Sequence, residues 1–313
     1  MYLGTSFADA TIYGTIDAAY TSQKATIGSS TAKQTSIGAT NNGNSAIGFK
    51  ASEDLGNGMK VSFQQEIGLS TDENDENDDS YENRNSFVGL SGGFGDIKVG
   101  RQYNIAFYNV IANDPMGFSG LSTFIAAGAG NPNRTSNMIL YTAPTFVQGL
   151  GVQVSKAFGE AVTTPTSPTK TDDSTAWGLT YNNGGLYVGV TGETVIKTAT
   201  DKQKNSSTTA TYDFGVAKAG YGMTKTVQGA ASLKGGMFSI SAPVGPVTAW
   251  YSTGDLKVVT GAGAADSKTK ASQYGLNYTL SKLSYIYIQA GKTDTSALAA
   301  TTSGYAIGLI KSF

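Results

Sequence analysis

Cysteine and histidine are both absent from the 313 residues. That excludes disulfides, thiolate nucleophiles, zinc sites built on Cys or His, imidazole general bases and every Ser-His-Asp arrangement. No cluster of lysines or carboxylates offers a substitute, so the chain reads as a non-enzyme. Charge is scarce too, at 14% of residues where soluble domains average roughly 25%. Apolar residues reach only 39%, below the usual ~45–50%. No run approaches the ~18 consecutive apolar residues of a membrane helix. The net charge of −1 gives no reason to expect a nucleic-acid partner. What fills the chain instead is Gly (40 residues), with Ser, Thr, Asn and Tyr.

The hydropathy period is two rather than 3.6. Residues 59–69 set Val61, Phe63, Ile67 and Leu69 against Lys60, Ser62, Gln64 and Glu66, with Gln65 the one lapse on the apolar face. Residues 174–182, 209–216 and 272–280 alternate in the same way. Alternation alone fits a sandwich or a lipid-embedded barrel with a polar lumen. The turns separate them. Tight turn signals at 55–58, 91–95, 145–149, 182–185, 216–219, 243–246 and 280–282 interleave with eight long polar stretches, near 21–43, 70–83, 102–133, 159–173, 198–206, 225–234, 257–270 and 293–301. Every second connection being short is the mark of a membrane barrel with short periplasmic turns and long external loops. The count gives sixteen antiparallel strands, and all seven prolines fall in turns or loops, where no ladder N–H is needed. The final strand, 305–313, ends on Phe313 with Tyr305, Ile307 and Leu309 on its face.

Ordered motifs then carry a family resemblance. They are Tyr13-Gly14-Thr15-Ile16-Asp17, Ile47-Gly48-Phe49-Lys50, Ser52-Glu53-Asp54-Leu55-Gly56 and Phe87-Val88-Gly89-Leu90-Ser91-Gly92, followed by Phe94-Gly95-Asp96, Gly100-Arg101-Gln102-Tyr103, Arg134 with Ser136, Asn137 and Tyr141, and Phe313. In this the chain resembles the general porins of Gram-negative outer membranes, β-proteobacterial branch, over residues 11–313. The resemblance implies an outer-membrane, homotrimeric, sixteen-stranded all-β barrel that works as a passive diffusion channel. Its third external loop, about 102–133, would fold inward to narrow the pore. Phe313 would be read by the barrel-assembly machinery, and the outer wall would meet membrane lipid and lipopolysaccharide.

Carried across residue by residue, the constriction comprises Lys50, Arg84, Arg101 and Arg134 on the wall and Asp114 on the loop. These arginines are the only three in the chain. Strand parity would turn Arg101 toward lipid with Ile97 and Val99. The cost of an arginine there leads us to expect a bulge that returns it to the lumen. Two departures weaken the transverse field: Ala46 stands where the family usually has Arg, and the loop keeps one acid. A modest anion preference is still expected. A substrate-selective porin and a non-channel β-rich adhesin are the alternative readings.

Residues 72–82 hold seven acids. This run lacks the glycine of a calcium loop, so a solvated acidic loop is expected first. Asp72, Asp75, Asp78 and Asp79 are weak candidates for Ca2+ or Mg2+; no other cofactor is expected. Residues 1–10, with the Ala8-Asp9-Ala10 pattern, read as a signal-peptide remnant or an N-terminal tail.

Overall fold

The computed structural model describes residues 9–38, 45–69, 71, 83–116, 133–159, 172–198, 200–261 and 266–313. Seventeen strands run in chain order: β1 (Asp9–Ile27), β2 (Ser30–Gly38), β3 (Ala46–Gly56), β4 (Met59–Gly68), β5 (Asn83–Gly92), β6 (Gly95–Tyr103), β7 (Arg134–Thr142), β8 (Leu150–Ala157), β9 (Ser174–Asn183) and β10 (Leu186–Ile196). They continue with β11 (Lys202–Asp213), β12 (Lys218–Gln228), β13 (Ala231–Val244), β14 (Val247–Val259), β15 (Ser267–Ser281), β16 (Ser284–Thr295) and β17 (Ala300–Ser312). One helix, α1 (Ile105–Ile111), follows β6.

Each strand pairs antiparallel with its neighbour, and β1 pairs with β17 from Thr15↔Ser312 to Ile27↔Ala300, which closes the sheet. The lower part of β1 pairs with β3 and its upper part with β2, so β2 and β3 share one position in the wall. The result is the sixteen-stranded antiparallel barrel expected from the turns. Closure is tight at the seam. Gly14 and Phe313 exchange backbone N–H···O bonds of 3.0 Å, and a side chain at Gly14 would collide with the Phe313 ring.

The two faces of the wall differ as alternation requires. Ile12, Phe49, Phe63, Val88, Tyr274 and Leu309 stand exposed on the outside, while Asp17, Glu66, Arg84, Thr209 and Gln289 are buried on the inside. This inversion of a soluble core explains the composition: lipid replaces charge as the outer partner, and only one residue in two need be apolar.

Two sequence expectations change. Much of what reads as external loop is strand, because β1–β2, β12–β13 and β16–β17 continue as paired ladders beyond the alternating segments. Those extensions are rich in Ser, Thr and Lys, and backbone pairing holds them together without an apolar face. The turn expected at 216–219 lies at 214–217, with Gly215 at φ 83° and Phe214 N–H donating to Ala217 O. Asp9 and Ala10 already belong to β1, paired with Ser52 and Ala51; residues 1–8 lie outside the described residues.

Candidate pore constriction

One arc of the inner wall carries charge. The Glu66 carboxylate on β4 accepts from Arg84 Nε at 2.7 Å and from the Tyr13 hydroxyl at 2.9 Å. Gln64 Nε2 donates to the same tyrosine at 2.6 Å, and Lys50 Nζ lies 5.2 Å from its ring centre. Arg84 reaches inward because β5 bulges: Gln65↔Ser86 is followed by Ile67↔Asn83, so Arg84 and Asn85 both oppose Glu66. Arg84 Nη2 also donates to the Tyr103 hydroxyl at 3.0 Å. Arg134, from the start of β7, donates to that hydroxyl at 2.9 Å and lies over the same ring at 4.5 Å. Tyr103 therefore seats two guanidinium groups, while its ring stacks on Phe107 of α1 at 4.2 Å. Lys50, Arg84 and Arg134 thus sit within one network around Glu66, the carboxylate that joins it among the described residues.

Arg101 is not part of it. Both bulges flank β6 rather than lie in it: the extra residues are Arg84/Asn85 on β5 and Ser136/Asn137 on β7. Asn137 accordingly adopts φ 52°. β6 keeps unbroken register against β5, with Val88↔Val99, Phe87↔Gly100 and Ser86↔Arg101. Arg101 therefore shares the outward rung of Ser86, Gln65 and Phe49. The expected inward turn is corrected on this register. Its guanidinium is held by Asn83 O (2.6 Å) and Ser136 Oγ (2.9 Å), and Ser86 and Asn83 engage the Gln65 amide beside it. The Gln65 lapse in the apolar pattern thus belongs to a polar patch on the outer wall.

The facing arc is mostly amides and hydroxyls, with Glu193 and Lys218 among them, and carries the start of the long loop. Asn104 caps α1 through Oδ1 on Ala106 N (2.7 Å) and donates to Glu193 on β10 (3.1 Å). Asn109 donates to Ser207 on β11 (2.8 Å) and accepts from Tyr187 on β10 (3.1 Å). Asn113 donates to Met237 O (2.8 Å) and accepts from Ser239 on β13 (2.8 Å). Lys218 Nζ closes the helix end on Ala112 O at 3.1 Å. Glycines make the floor: side chains at Gly178, Gly189 and Gly220 would collide with Ile105, Asn109 and Asn113 respectively. Ile105 is buried with Met138, Leu140, Ala157 and Ala176. Residues 104–116 therefore lie against the polar inner face; 117–132 fall outside the described residues.

Asp114 follows Asn113, which is bonded to β13, a strand half the ring away from β5 in the sheet order. Its Oδ1 accepts from Met116 N at 2.9 Å, and its backbone N–H donates to Ile111 O at 3.0 Å. Tyr108 on α1 stands edge-on to Tyr103 at 5.5 Å. Burial first, then Tyr103 and Glu66, push its phenol up to about 12, so it stays neutral at physiological pH. A recess of about 670 Å³ opens beside Arg134, lined also by Phe158, Glu193, Lys197 and Gln203. Glu66 and the three asparagines were not singled out from sequence. Glu66 sits in plain polar parity on its strand, whereas Asn104, Asn109 and Asn113 carry no signal beyond spacings of five and four. The acidic candidates Asp72, Asp75, Asp78 and Asp79 lie outside the described residues.

A profile of the Gram-negative porin family matches residues 4–298. Major outer membrane protein P.IB of Neisseria meningitidis is 32% identical over 187 residues, covering 58% of this chain and 53% of that protein. The chain thus spans about half the length of the curated P.IB relatives it matches. Outer membrane porin protein 32 of Delftia acidovorans is 29% identical over 272 residues, covering 80% of this chain and 74% of the relative. Among solved structures, an anion-selective porin from Comamonas acidovorans superposes with a TM-score of 0.86 at 21% identity, covering 98% of this chain and 100% of that one. OmpF of Salmonella typhi, in complex with daunomycin, gives 0.78 at 18% identity over the full length of both chains.

Proposed function

The chain belongs to the Gram-negative porin family of the outer membrane, and we propose that it is a passive diffusion channel for small hydrophilic solutes and ions, with a modest anion preference. The observation that carries the preference is the charged inner arc. Lys50, Arg84 and Arg134 gather there around Glu66 among the described residues. The facing arc offers amides and hydroxyls around α1, with Glu193 tied to Asn104 and Asn205. A field of one sign across a narrowed lumen raises the local concentration of counter-ions. In this reading residues 104–116, the described start of the long loop, narrow the pore from the β8–β13 side, and the held asparagines fix them there. Porin 32 supports the channel by likeness, and the Comamonas anion-selective porin supports the preference.

Three partners belong to this proposal. The polar outer rung of Gln65, Ser86 and Arg101 suits contact with another subunit better than contact with lipid, where an arginine is costly. That supports a homotrimer, and OmpT of Vibrio cholerae, a structural neighbour, is described in a trimer form. Membrane lipid and lipopolysaccharide meet the remaining outer face. Phe313, its ring half-exposed at the seam, is the residue the assembly machinery would read.

Stepwise conductance in planar bilayers, from protein with heat-modifiable gel mobility, tests the channel. Absence of conductance from folded protein would sink it. Strong saturation by one solute class would favour a substrate-selective porin instead.

A further inference from the structure

On the outer face, toward the long-loop end, β12 to β15 place four lysines side by side. The register runs Lys225↔Lys234, Lys234↔Lys257 and Lys257↔Lys268 without a shift. All four are exposed, and parity puts them on the outer face with Met223, Phe238, Tyr251 and Tyr274. Like charges directly opposite each other destabilise a sheet pair, and here the pairing is repeated three times. No other rung among the described residues sets more than two lysines side by side. Neighbouring acids offset only one half of the row: Asp266 lies 3.6 Å from Lys257 and Asp255 3.8 Å from Lys268, in half-exposed pairs. Lys225 and Lys234 have no carboxylate within 4.0 Å among the described residues. Lys204 on β11 extends the positive field on the same face, whereas Lys270 on β15 stands opposite Asp255 and Asp294.

The row's height matters as much as its charge. Four residues below it along the strands, Tyr221 and Phe238 form an exposed apolar rung, followed by Ile240, Tyr251 and Tyr274. At ~3.3 Å per residue that is about 13 Å along tilted strands, the headgroup level above an acyl band. Strands ~4.8 Å apart spread four ammonium groups over about 14 Å, wide enough to meet more than one phosphate at once.

We propose that the Lys225–Lys234–Lys257–Lys268 row is a binding site for a phosphorylated glycolipid headgroup of the outer leaflet, whose acyl chains lie on the aromatic rungs beneath. The inference rests on the outer-membrane placement of the barrel. The repulsion stored in the row is relieved when a polyanion bridges it, so occupancy and barrel stability are linked.

The test compares native protein with K225Q/K234Q and with K60Q/K282Q, which removes the same charge near the short-turn end. Heat-modifiable mobility and conductance are read on each sample. Detergent-solubilised protein is titrated with bis-phosphorylated lipid A, with the same lipid stripped of phosphate, with inorganic pyrophosphate and with polyglutamate. The expected result is binding of lipid A that K225Q/K234Q weakens on the order of tenfold, at several-fold per lysine near a membrane surface. K60Q/K282Q leaves it unchanged, and stripped lipid, pyrophosphate and polyglutamate all bind far more weakly. Equal binding by the two variants would overturn the proposal, as would equal binding of stripped lipid, of pyrophosphate or of the acidic polymer. Loss of conductance in native protein would count against the channel reading and leave this binding result to be read on its own.

Discussion

The two facing arcs of the inner wall solve different problems with different chemistry. From β3 to β7 the side chains are charged and linked through tyrosines: Glu66 holds Arg84 and Tyr13, and Tyr103 holds Arg84 and Arg134. From β10 to β13 they are mostly amides and hydroxyls, and they hold the loop. Charge acts at a distance, so the first arc needs its cations held apart and oriented. A seat acts by contact, so the second needs matched donors, acceptors and bare glycine floor. The seat keeps one buried carboxylate, Glu193, tied down by the amides of Asn104 and Asn205.

The largest expected effect breaks the charged arc. Glu66→Gln leaves Arg84, only 6% exposed, without its 2.7 Å carboxylate. Removing one partner of such a pair costs roughly 3 kcal/mol, read as a lower urea midpoint for the folded barrel in detergent. An unchanged midpoint would mean that Arg84's remaining partners, Tyr103 among them, satisfy the guanidinium. The seat comes next. Asn109→Ala removes the bonds to Ser207, which keeps Thr191 at 2.6 Å, and to Tyr187, and should cost about 2 kcal/mol. It should also add open-channel noise as α1 loosens; quiet channels would show that Asn104 and Asn113 suffice.

How much of this was legible differs between the arcs for physical reasons. Strand number and inside–outside parity follow from alternation and from turn residues, which act locally. Lys50, Arg84 and Arg134 were named through the family resemblance, and the structure gathers them around Glu66, Tyr13 and Tyr103. Arg101 was misplaced because bulges in β5 and β7 are properties of pairing, invisible in the sequence of β6. Asn104, Asn109 and Asn113 were passed over because their role depends on Gly178, Gly189 and Gly220, some 70–110 residues away along the chain. The same is true of the lysine row: each lysine looks like an ordinary solvated residue until register aligns four of them.

Smaller effects sharpen the contrast. Gly189→Val should push Asn109 off its seat and change conductance while ion preference stays as it is, because the charged arc is untouched. A shifted reversal potential would show that the seat sets the field as well. Lys24→Gln, on the exposed β1–β2 ladder, should move stability by less than about 0.5 kcal/mol, and any larger change would place that ladder in a contact not described above.

The central claim is that the sign of the lumen field comes from the β3–β7 arc. The zero-current potential across a planar bilayer in a salt gradient measures that sign directly, in native protein and in K50Q/R134Q. Native channels should pass anions in preference to cations. The double variant should lower that ratio two- to fivefold, within the ~1 kcal/mol that a unit charge exerts at contact distance in water. A cation-preferring native channel, or a double variant with an unchanged potential, would contradict it.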